Sequence, residues 1–145
     1  MLVQATAADR EWLERLRRDV YQELFTATFG QWDEVRHVRQ FADCWARGPI
    51  SIIDVDDRRV GMIQFSEGPD ALEINEIQVR PEHQGRGIGG HVMRDTIARA
   101  RRNGKKVLLS VALKNERALR FYQRLGFQSL ARTEPHIHLV FEIGT

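Results

Sequence analysis

The sequence predicts a single α/β domain, 1–145, with a mixed, mostly antiparallel sheet and helices on both faces. Three observations predict this class. Apolar residues recur every three or four positions in some segments and at every second position in others. The order of these segments places an antiparallel meander before a β-α-β unit, which requires strands of both directions. Finally, 145 residues with 42% hydrophobic content suffice for one domain with its own core.

Capping residues and changes of period define the individual elements. Thr6, with Asp9 three residues later, signals the first helix, Asp33 caps the second, and Gly104 ends the third. The predicted elements are, in chain order, a strand at 2–5, a helix that follows Thr6 and reaches Phe25, a helix at 33–46, strands at 50–55, 60–65 and 71–79, a helix that ends at Gly104, a strand at 107–113, a helix from Asn115 to Gly126, and strands at 127–133 and 137–143.

The third strand of the meander changes phase. Leu72 and Ile74 alternate regularly, but the next apolar positions are Ile77 and Val79. A β-bulge inserts one unpaired residue and produces such a slip, so we predict a bulge at Asn75–Glu76.

The strand at 107–113 is the most continuously apolar segment of the chain. Continuous apolar character is typical of a strand that is buried on both faces. We therefore expect it to pair in parallel with the strand at 71–79 through the intervening helix.

The charge balance and the cysteine content exclude several classes of protein. The 22 basic and 20 acidic residues give a formal net charge of +2, which predicts no nucleic-acid partner, although a basic patch runs from Arg99 to Lys106. No apolar run approaches the roughly 20 residues that span a bilayer, so no membrane partner is expected. The single cysteine, Cys44, excludes an internal disulfide and favours the cytoplasm.

A glycine-rich loop is the most informative segment. Residues 84–90 read Q-G-R-G-I-G-G, and a predicted helix follows directly. Glycines let successive backbone N–H groups point toward one place, and the start of a helix adds its positive end. A diphosphate is therefore a natural ligand of this loop.

Two common nucleotide motifs do not fit the loop. Gly85, Gly87 and Gly90 match G-x-G-x-x-G, but residues 81–84 separate the strand from the first glycine. No Asp or Glu occurs between Thr96 and Asn115 to bind a ribose hydroxyl. A Walker loop is also excluded, because no glycine is followed by Lys and then Ser or Thr.

Read as Q-x-x-G-x-G, positions 84, 87 and 89 resemble the start of the coenzyme site in the GNAT superfamily of N-acetyltransferases. The flanking segments are similar to that superfamily as well: V-R-P-E-H at 79–83, N-E-R-A at 115–118, F-Y at 121–122 and L-G-F at 125–127. The resemblance runs from Ile77 through Phe127. It implies a GNAT-like fold in which the strands at 71–79 and 107–113 form a splayed parallel pair.

The resemblance implies acetyl-CoA as co-substrate, and no metal is expected. In such a site the loop amides bind the diphosphate, and the pantetheine arm pairs with the exposed backbone of the preceding strand. Asn115 resembles the asparagine that contacts the arm, in addition to capping a helix. The residues expected to bind the cofactor are Ile77, Gln78, Val79, Gln84, Gly85, Arg86, Gly87, Ile88, Gly89, Asn115, Ala118 and Tyr122.

Because Cys44 is interpreted as a packing residue and not as a nucleophile, we predict a direct transfer of the acyl group in a ternary complex, and the resemblance implies roles for residues at the thioester. The N–H of Ile77 is expected at the thioester oxygen. Tyr122 matches the superfamily's tyrosine near the coenzyme sulfur, and a phenol can protonate the leaving thiolate; packing alone is the alternative. Glu76 is the expected base, and its rivals are Glu34, Glu73, Glu134 and His136.

The acceptor is expected to be a primary amine of a small molecule or a peptide. Four residues are the candidates to bind it: Trp32, Asp33, Glu134 and His136. Trp32 and Asp33 can equally serve as a staple and a cap of the second helix.

The other titratable residues are expected to be structural. We interpret Cys44 as a packing residue, and His37, His83 and His91 as surface residues. His136 and His138 share a face of the last strand, but the sequence offers no further metal ligands at a coherent spacing.

A second function remains open at this stage. A chain with the same fold could be a non-catalytic acyl-CoA sensor or a partner-binding module. The sequence also leaves the oligomeric state open, a homodimer included.

Overall fold

The computed structural model describes residues 1–143, apart from the side chains of residues 28 and 29. Its helices and strands are, in chain order, β1 (Leu2–Gln4), α1 (Arg10–Phe29), α2 (Glu34–Arg47), β2 (Ser51–Val55), β3 (Arg58–Glu67), β4 (Ala71–Val79), α3 (Ile88–Arg102), β5 (Lys106–Ala112), α4 (Glu116–Leu125), β6 (Gln128–Thr133) and β7 (His136–Phe141). Short 3-10 turns precede α1, at Ala7–Asp9, and follow β4, at Pro81–His83. Every element predicted from the sequence is present, with bounds that differ by a few residues.

The strands form a seven-stranded sheet in the order β1-β2-β3-β4-β5-β7-β6. The β4–β5 pair is parallel and runs from Ala71↔Lys106 to Ile74↔Leu109. Both strands continue beyond Ile74 and Leu109, so only the first part of β4 is paired with β5. The predicted parallel pairing and the predicted fold class are confirmed.

The contacts within the chain divide it into two compact units, which we describe separately. The first contains Met1–Gln64 and Glu76–Gly89, and the second contains Phe65–Asn75 and the chain from Gly90 onward.

In the first unit, α1 and α2 pack on β2 and β3. The amphipathic pattern of both helices supplies an apolar core. Its buried members are Leu13, Leu16, Phe41, Cys44, Ile50, Ile52 and Met62. Gln64 is buried at the edge of this core, and its amide nitrogen donates to the carbonyls of Cys44 at 2.8 Å and Gly48 at 3.0 Å. The amide therefore ties the end of α2 to β3.

Two backbone hydrogen bonds bracket the β3–β4 hairpin and allow its register to be counted. The N–H of Gly68 donates to the carbonyl of Ala71 at 2.9 Å, and the N–H of Arg80 donates to the carbonyl of Val60 at 2.7 Å. Between these two bonds the chain advances by eight residues on the β3 side, from Val60 to Gly68, and by nine on the β4 side, from Ala71 to Arg80. One extra residue is what a bulge inserts. The register thus supports a bulge in β4, and its assignment to Asn75–Glu76 stays a prediction.

In the second unit, the prediction that the strand at 107–113 is buried on both faces is wrong. Val107, Leu109 and Val111 are buried, but Leu108 is only partly buried and Ser110 is exposed. The strand therefore alternates and has one buried face. A continuous apolar run cannot distinguish the two cases, because exposed apolar residues are common on protein surfaces.

None of the helices in residues 1–143 combines the length and the apolar character that crossing a lipid bilayer requires.

Candidate active site

The glycine-rich loop connects β4 to α3 in a defined conformation. Gly85 and Gly87 both have φ near +80°, in the left-handed region that favours glycine. An added Cβ would meet nothing within 4 Å at either position, so it is the backbone conformation and not a lack of space that requires glycine. The side chain of Gln84 donates to the carbonyl of Val79 at 2.9 Å and holds the loop against the strand that precedes it.

The loop is exposed and ends at a helix N-terminus. Gly85, Arg86 and Gly87 are exposed, and α3 begins at Ile88 with no acidic residue in its first turn. Unpaired N–H groups at the start of a helix attract anions. The exposed loop and the helix start could therefore bind an anion, and the binding of a diphosphate there stays a prediction.

Arg80 anchors the same loop on its other side. Its N–H bonds to β3, and its guanidinium forms an ion pair with Glu82. A hydrogen bond from the Glu82 backbone and the charge of Arg80 hold the pKa of the Glu82 carboxyl below its ordinary value. Glu82 is therefore ionised at neutral pH, and its charge is balanced by that of Arg80.

Glu76 lies on β4 and is partly buried in the first unit. Its Oε2 accepts hydrogen bonds from the hydroxyl of Tyr21 at 3.5 Å and from the amide nitrogen of Gln78 at 3.2 Å. The carboxylate predicted as the base is therefore held by one side chain from α1 and by one from its own strand.

The side chains of Tyr21 and Gln78 were not predicted from the sequence as contacts of Glu76. The apolar pattern of β4 pointed to Ile77 and Val79, which are only partly buried, whereas Gln78 is 3% exposed. Gln78 is polar and stands between the apolar Ile77 and Val79, so the apolar pattern offered no signal of its burial. A buried polar side chain is more informative about a site than an exposed apolar one.

Trp32 and Asp33 have structural roles at the start of α2. The carboxylate of Asp33 accepts from the N–H of Arg36 at 3.0 Å, which is an N-cap bond. The indole of Trp32 donates to Glu34 at 2.6 Å and lies 5.2 Å from the ring of His37. The staple-and-cap alternative thus describes their observed contacts, and their role in binding substrate stays a prediction.

His37 is 1% exposed, so its interpretation as a surface residue is wrong. Its Nδ1 lies 2.9 Å from a guanidinium nitrogen of the buried Arg17. A guanidinium only donates, so Nδ1 accepts and the ring proton is on Nε2. Burial and the positive charge of Arg17 lower the pKa of His37 below its ordinary value. The ring is therefore a neutral partner that fixes Arg17 between α1 and α2.

Cys44 is a buried free thiol, as predicted. Burial raises its pKa to about 11, which leaves it protonated at neutral pH. Such a thiol is unsuited to nucleophilic attack, which agrees with its interpretation as a packing residue.

Three side chains of the first unit could offer metal ligands, since donor atoms of Glu14, Glu34 and His37 lie within 4.8 Å of one another. Glu34 is already bound by Arg18, at 2.5 Å, and by Trp32. The guanidinium of Arg18 thus already pairs with both carboxylates of this cluster, and the expectation of no metal stays a prediction.

In the second unit, Asn115 and Tyr122 are placed by α4. The side chain of Asn115 accepts from the N–H of Ala118 at 3.3 Å and caps the helix. Tyr122 is 8% exposed, and its ring packs against Phe121 at 5.2 Å and Phe127 at 5.7 Å. The predicted cap of Asn115 is observed, and so is the packing of Tyr122 that was the alternative to its role as an acid; the roles of both residues toward the coenzyme stay predictions.

Glu134 and His136 are both exposed in the second unit. Glu134 lies 3.9 Å from a guanidinium nitrogen of Arg132, a separation typical of a weak surface ion pair. His138, which shares a strand face with His136, is hydrogen-bonded at 2.7 Å to the hydroxyl of Ser110. These contacts neither bring the predicted acceptor residues together nor assign them a ligand.

Comparison with known proteins gives three consistent matches. The model of the family described as "Acetyltransferase (GNAT) family" matches residues 17–127. An uncharacterized N-acetyltransferase of Methanocaldococcus jannaschii is 33% identical over 100 residues, which cover 68% of this chain and 43% of that protein. The N-alpha-acetyltransferase RimI of Mycobacterium tuberculosis is 42% identical over 60 residues, which cover 41% of this chain and 37% of RimI. The chain thus spans less than half the length of these curated relatives.

A solved structure extends the likeness to the whole fold. The PaiA N-acetyltransferase of Thermoplasma acidophilum, in complex with coenzyme A, superposes with a TM-score of 0.75 at 14% identity. The match covers 98% of this chain and 99% of the other. The protein therefore has the α/β fold of the GNAT acetyltransferases. Because the family model spans most of its length, the chain belongs to the acetyltransferase (GNAT) family.

Proposed function

We propose that the chain, as one domain over 1–145, is an N-acetyltransferase that moves an acetyl group from acetyl-CoA to a primary amine. The observation that carries this proposal is the loop at 84–89. Two left-handed glycines and a helix start without acidic residues present backbone N–H groups to an anion, in a chain of the GNAT family.

Each part of the coenzyme has proposed partners. The N–H groups of Gly85 to Gly89 bind the diphosphate, and Arg86 adds positive charge. The backbone of Ile77, Gln78 and Val79 binds the amides of the pantetheine arm. Asn115 and Ala118, at the start of α4, contact the same arm, as the family resemblance implies.

Acetyl transfer then needs a base, an oxyanion donor and an acid. Glu76 removes the proton from the amine, whose nitrogen attacks the carbonyl carbon of the thioester. The N–H of Ile77 stabilises the oxyanion, the C–S bond breaks, and Tyr122 protonates the departing thiolate. No acyl-enzyme intermediate is required, and the buried, protonated Cys44 is unsuited to forming one.

The acceptor is proposed to be an amine of a small molecule or of a peptide. RimI, one of the relatives, is an N-alpha-acetyltransferase, which favours peptides with a free α-amino group among the first acceptors to test. Trp32, Asp33, Glu134 and His136 are the proposed acceptor contacts. The free thiol of Cys44 is compatible with the cytoplasm, which we propose as the location.

The proposal is tested by release of free thiol from acetyl-CoA in the presence of a panel of amines. The panel contains peptides, amino acids, polyamines and aminoglycosides. We expect one class to give turnover, which Tyr122→Phe lowers at unchanged coenzyme affinity. Tight coenzyme binding without turnover of any amine would instead support a non-catalytic sensor.

A further inference from the structure

We propose that Tyr21 and Gln78 are positioning residues that hold the carboxylate of Glu76 through Oε2 and leave Oε1 to take the proton from the amine. This inference rests on the proposed function, because it concerns the base of that reaction. It assigns roles to two side chains for which the family resemblance supplies none.

Both donors converge on one oxygen of Glu76. The hydroxyl of Tyr21 lies 3.5 Å and the amide nitrogen of Gln78 lies 3.2 Å from Oε2. Among the side chains that the structure describes, which exclude those of residues 28 and 29, no hydrogen bond to Oε1 of Glu76 is found. A carboxylate whose one oxygen is held by two donors keeps its other oxygen in a fixed direction, which is what a base requires.

The carboxylate itself fixes the orientation of the Gln78 amide. The opposite orientation would set a carbonyl oxygen against the negative charge of Glu76, so the NH₂ group must face it. As a result, the amide oxygen of Gln78 is buried and has no hydrogen-bond partner among the residues that the structure describes. A buried unsatisfied acceptor costs about 1–3 kcal/mol.

Tyr21 is in turn immobilised by its surroundings on α1. The guanidinium of Arg17 lies 5.1 Å from the centre of the phenol ring, and the ring of Phe25 lies 5.6 Å away. Arg17 is 6% exposed and is held by His37 at 2.9 Å and by Gln40 at 2.7 Å. A side chain locked by such neighbours transmits a precise position to the group it bonds.

The role of the two residues in the reaction step follows. As the amine nitrogen bonds to the thioester carbon, its N–H bond breaks and the proton passes to Oε1 of Glu76. The electron pair of the C–S bond leaves with sulfur. Tyr21 and Gln78 gain or lose no proton, so their removal should lower kcat with little change in the KM for acetyl-CoA.

A double-mutant cycle tests this role. Four variants are compared with the unmodified chain by steady-state kinetics on the best amine: Tyr21→Phe, Gln78→Met, Glu76→Gln, and Tyr21→Phe combined with Glu76→Gln. We expect about 3- to 30-fold lower kcat for the first two and at least about 100-fold for Glu76→Gln. When Tyr21→Phe is added to Glu76→Gln, kcat should fall by less than about 2-fold further, because the carboxylate that Tyr21 positions is already absent. Gln128→Met, on an exposed edge strand, is the matched control and should leave kcat unchanged.

The outcomes separate this inference from the proposed function. The inference is overturned if Tyr21→Phe and Gln78→Met both have the kcat of the unmodified chain. It is also overturned if the combined variant has a kcat about 3- to 30-fold below that of Glu76→Gln. Unchanged turnover in Glu76→Gln overturns it as well, since the base then lies elsewhere, while thiol release still supports acetyl transfer. If Gln78→Met fails to fold in a thermal melt, Tyr21→Phe decides, because it removes a single oxygen atom.

Discussion

Replacing Gly61 by alanine tests how closely β3 approaches the coenzyme-binding part of β4. An added Cβ at Gly61 would lie 2.1 Å from the backbone oxygen of Gln78 and 3.1 Å from the Cα of Val79. Real Cβ atoms essentially never come closer than 3.0 Å to another heavy atom, so the two strands must move apart by about 0.9 Å at this point. The obstacle is backbone, which cannot rotate away as a side chain can.

The magnitude follows from the two effects of that displacement. Overpacking of a tightly packed site costs about 1–3 kcal/mol. A weakened inter-strand hydrogen bond adds about 0.5–1.5 kcal/mol. We therefore expect Gly61→Ala to lower the free energy of unfolding by about 1.5–4.5 kcal/mol. Coenzyme affinity should fall too, because the displaced Gln78 and Val79 belong to the proposed pantetheine site.

Urea denaturation at 25 °C, followed by circular dichroism, measures the stability of both this variant and its control. Gly68→Ala is the matched control, since its Cβ would meet only the backbone oxygen of Ala71 at 3.5 Å, an ordinary contact. It should change stability by less than about 1 kcal/mol. Equal stabilities of Gly61→Ala and Gly68→Ala would refute the reasoning.

Three further predictions concern the loop, the thiol and the acidic stability. Gly87→Ala should lower the free energy of unfolding by about 1–2 kcal/mol and weaken coenzyme binding in calorimetry. Gly87→Asn should lower the free energy of unfolding by less, because Asn tolerates the left-handed region. Equal losses of stability in the two variants would contradict this prediction. Cys44, with a pKa of about 11, should resist iodoacetamide at pH 8 until urea unfolds the chain, as followed by mass spectrometry, whereas rapid labelling of the native chain would contradict its burial. Hydrogen bonds from Arg18 and Trp32 lower the pKa of Glu34 from 4.5 to about 2, so its stabilising contribution is present above pH 4.5 and is lost as the pH falls toward 2. In thermal melts, the stability of Glu34→Gln should fall less than that of the unmodified chain as the pH is lowered from 4.5 toward 2. The same pH dependence of stability in both chains would disprove this prediction.

Features that depend on local sequence were predictable. The cap at Asp33, the cap at Asn115 and the left-handed glycines of the loop each follow from a few neighbouring residues. The parallel pairing of β4 with β5 followed from the helix between them.

Features that depend on distant contacts were not predictable. Tyr21 and Glu76 are 55 residues apart in the chain, and no local pattern links them. His37 was interpreted as a surface residue because histidine is polar, yet Arg17 provides the buried partner that allows its burial. The apolar pattern of β4 suggested that Ile77 and Val79 are the buried residues. The buried residue is Gln78, and its amide is hydrogen-bonded to Glu76.

The central claim is that the loop at 84–89 binds the diphosphate of the coenzyme through its backbone. A crystal structure of the chain with coenzyme A at saturating concentration measures this directly. The account predicts diphosphate oxygens within hydrogen-bond distance of the N–H groups of Gly85 to Gly89. A coenzyme bound elsewhere, with this loop empty, would contradict it.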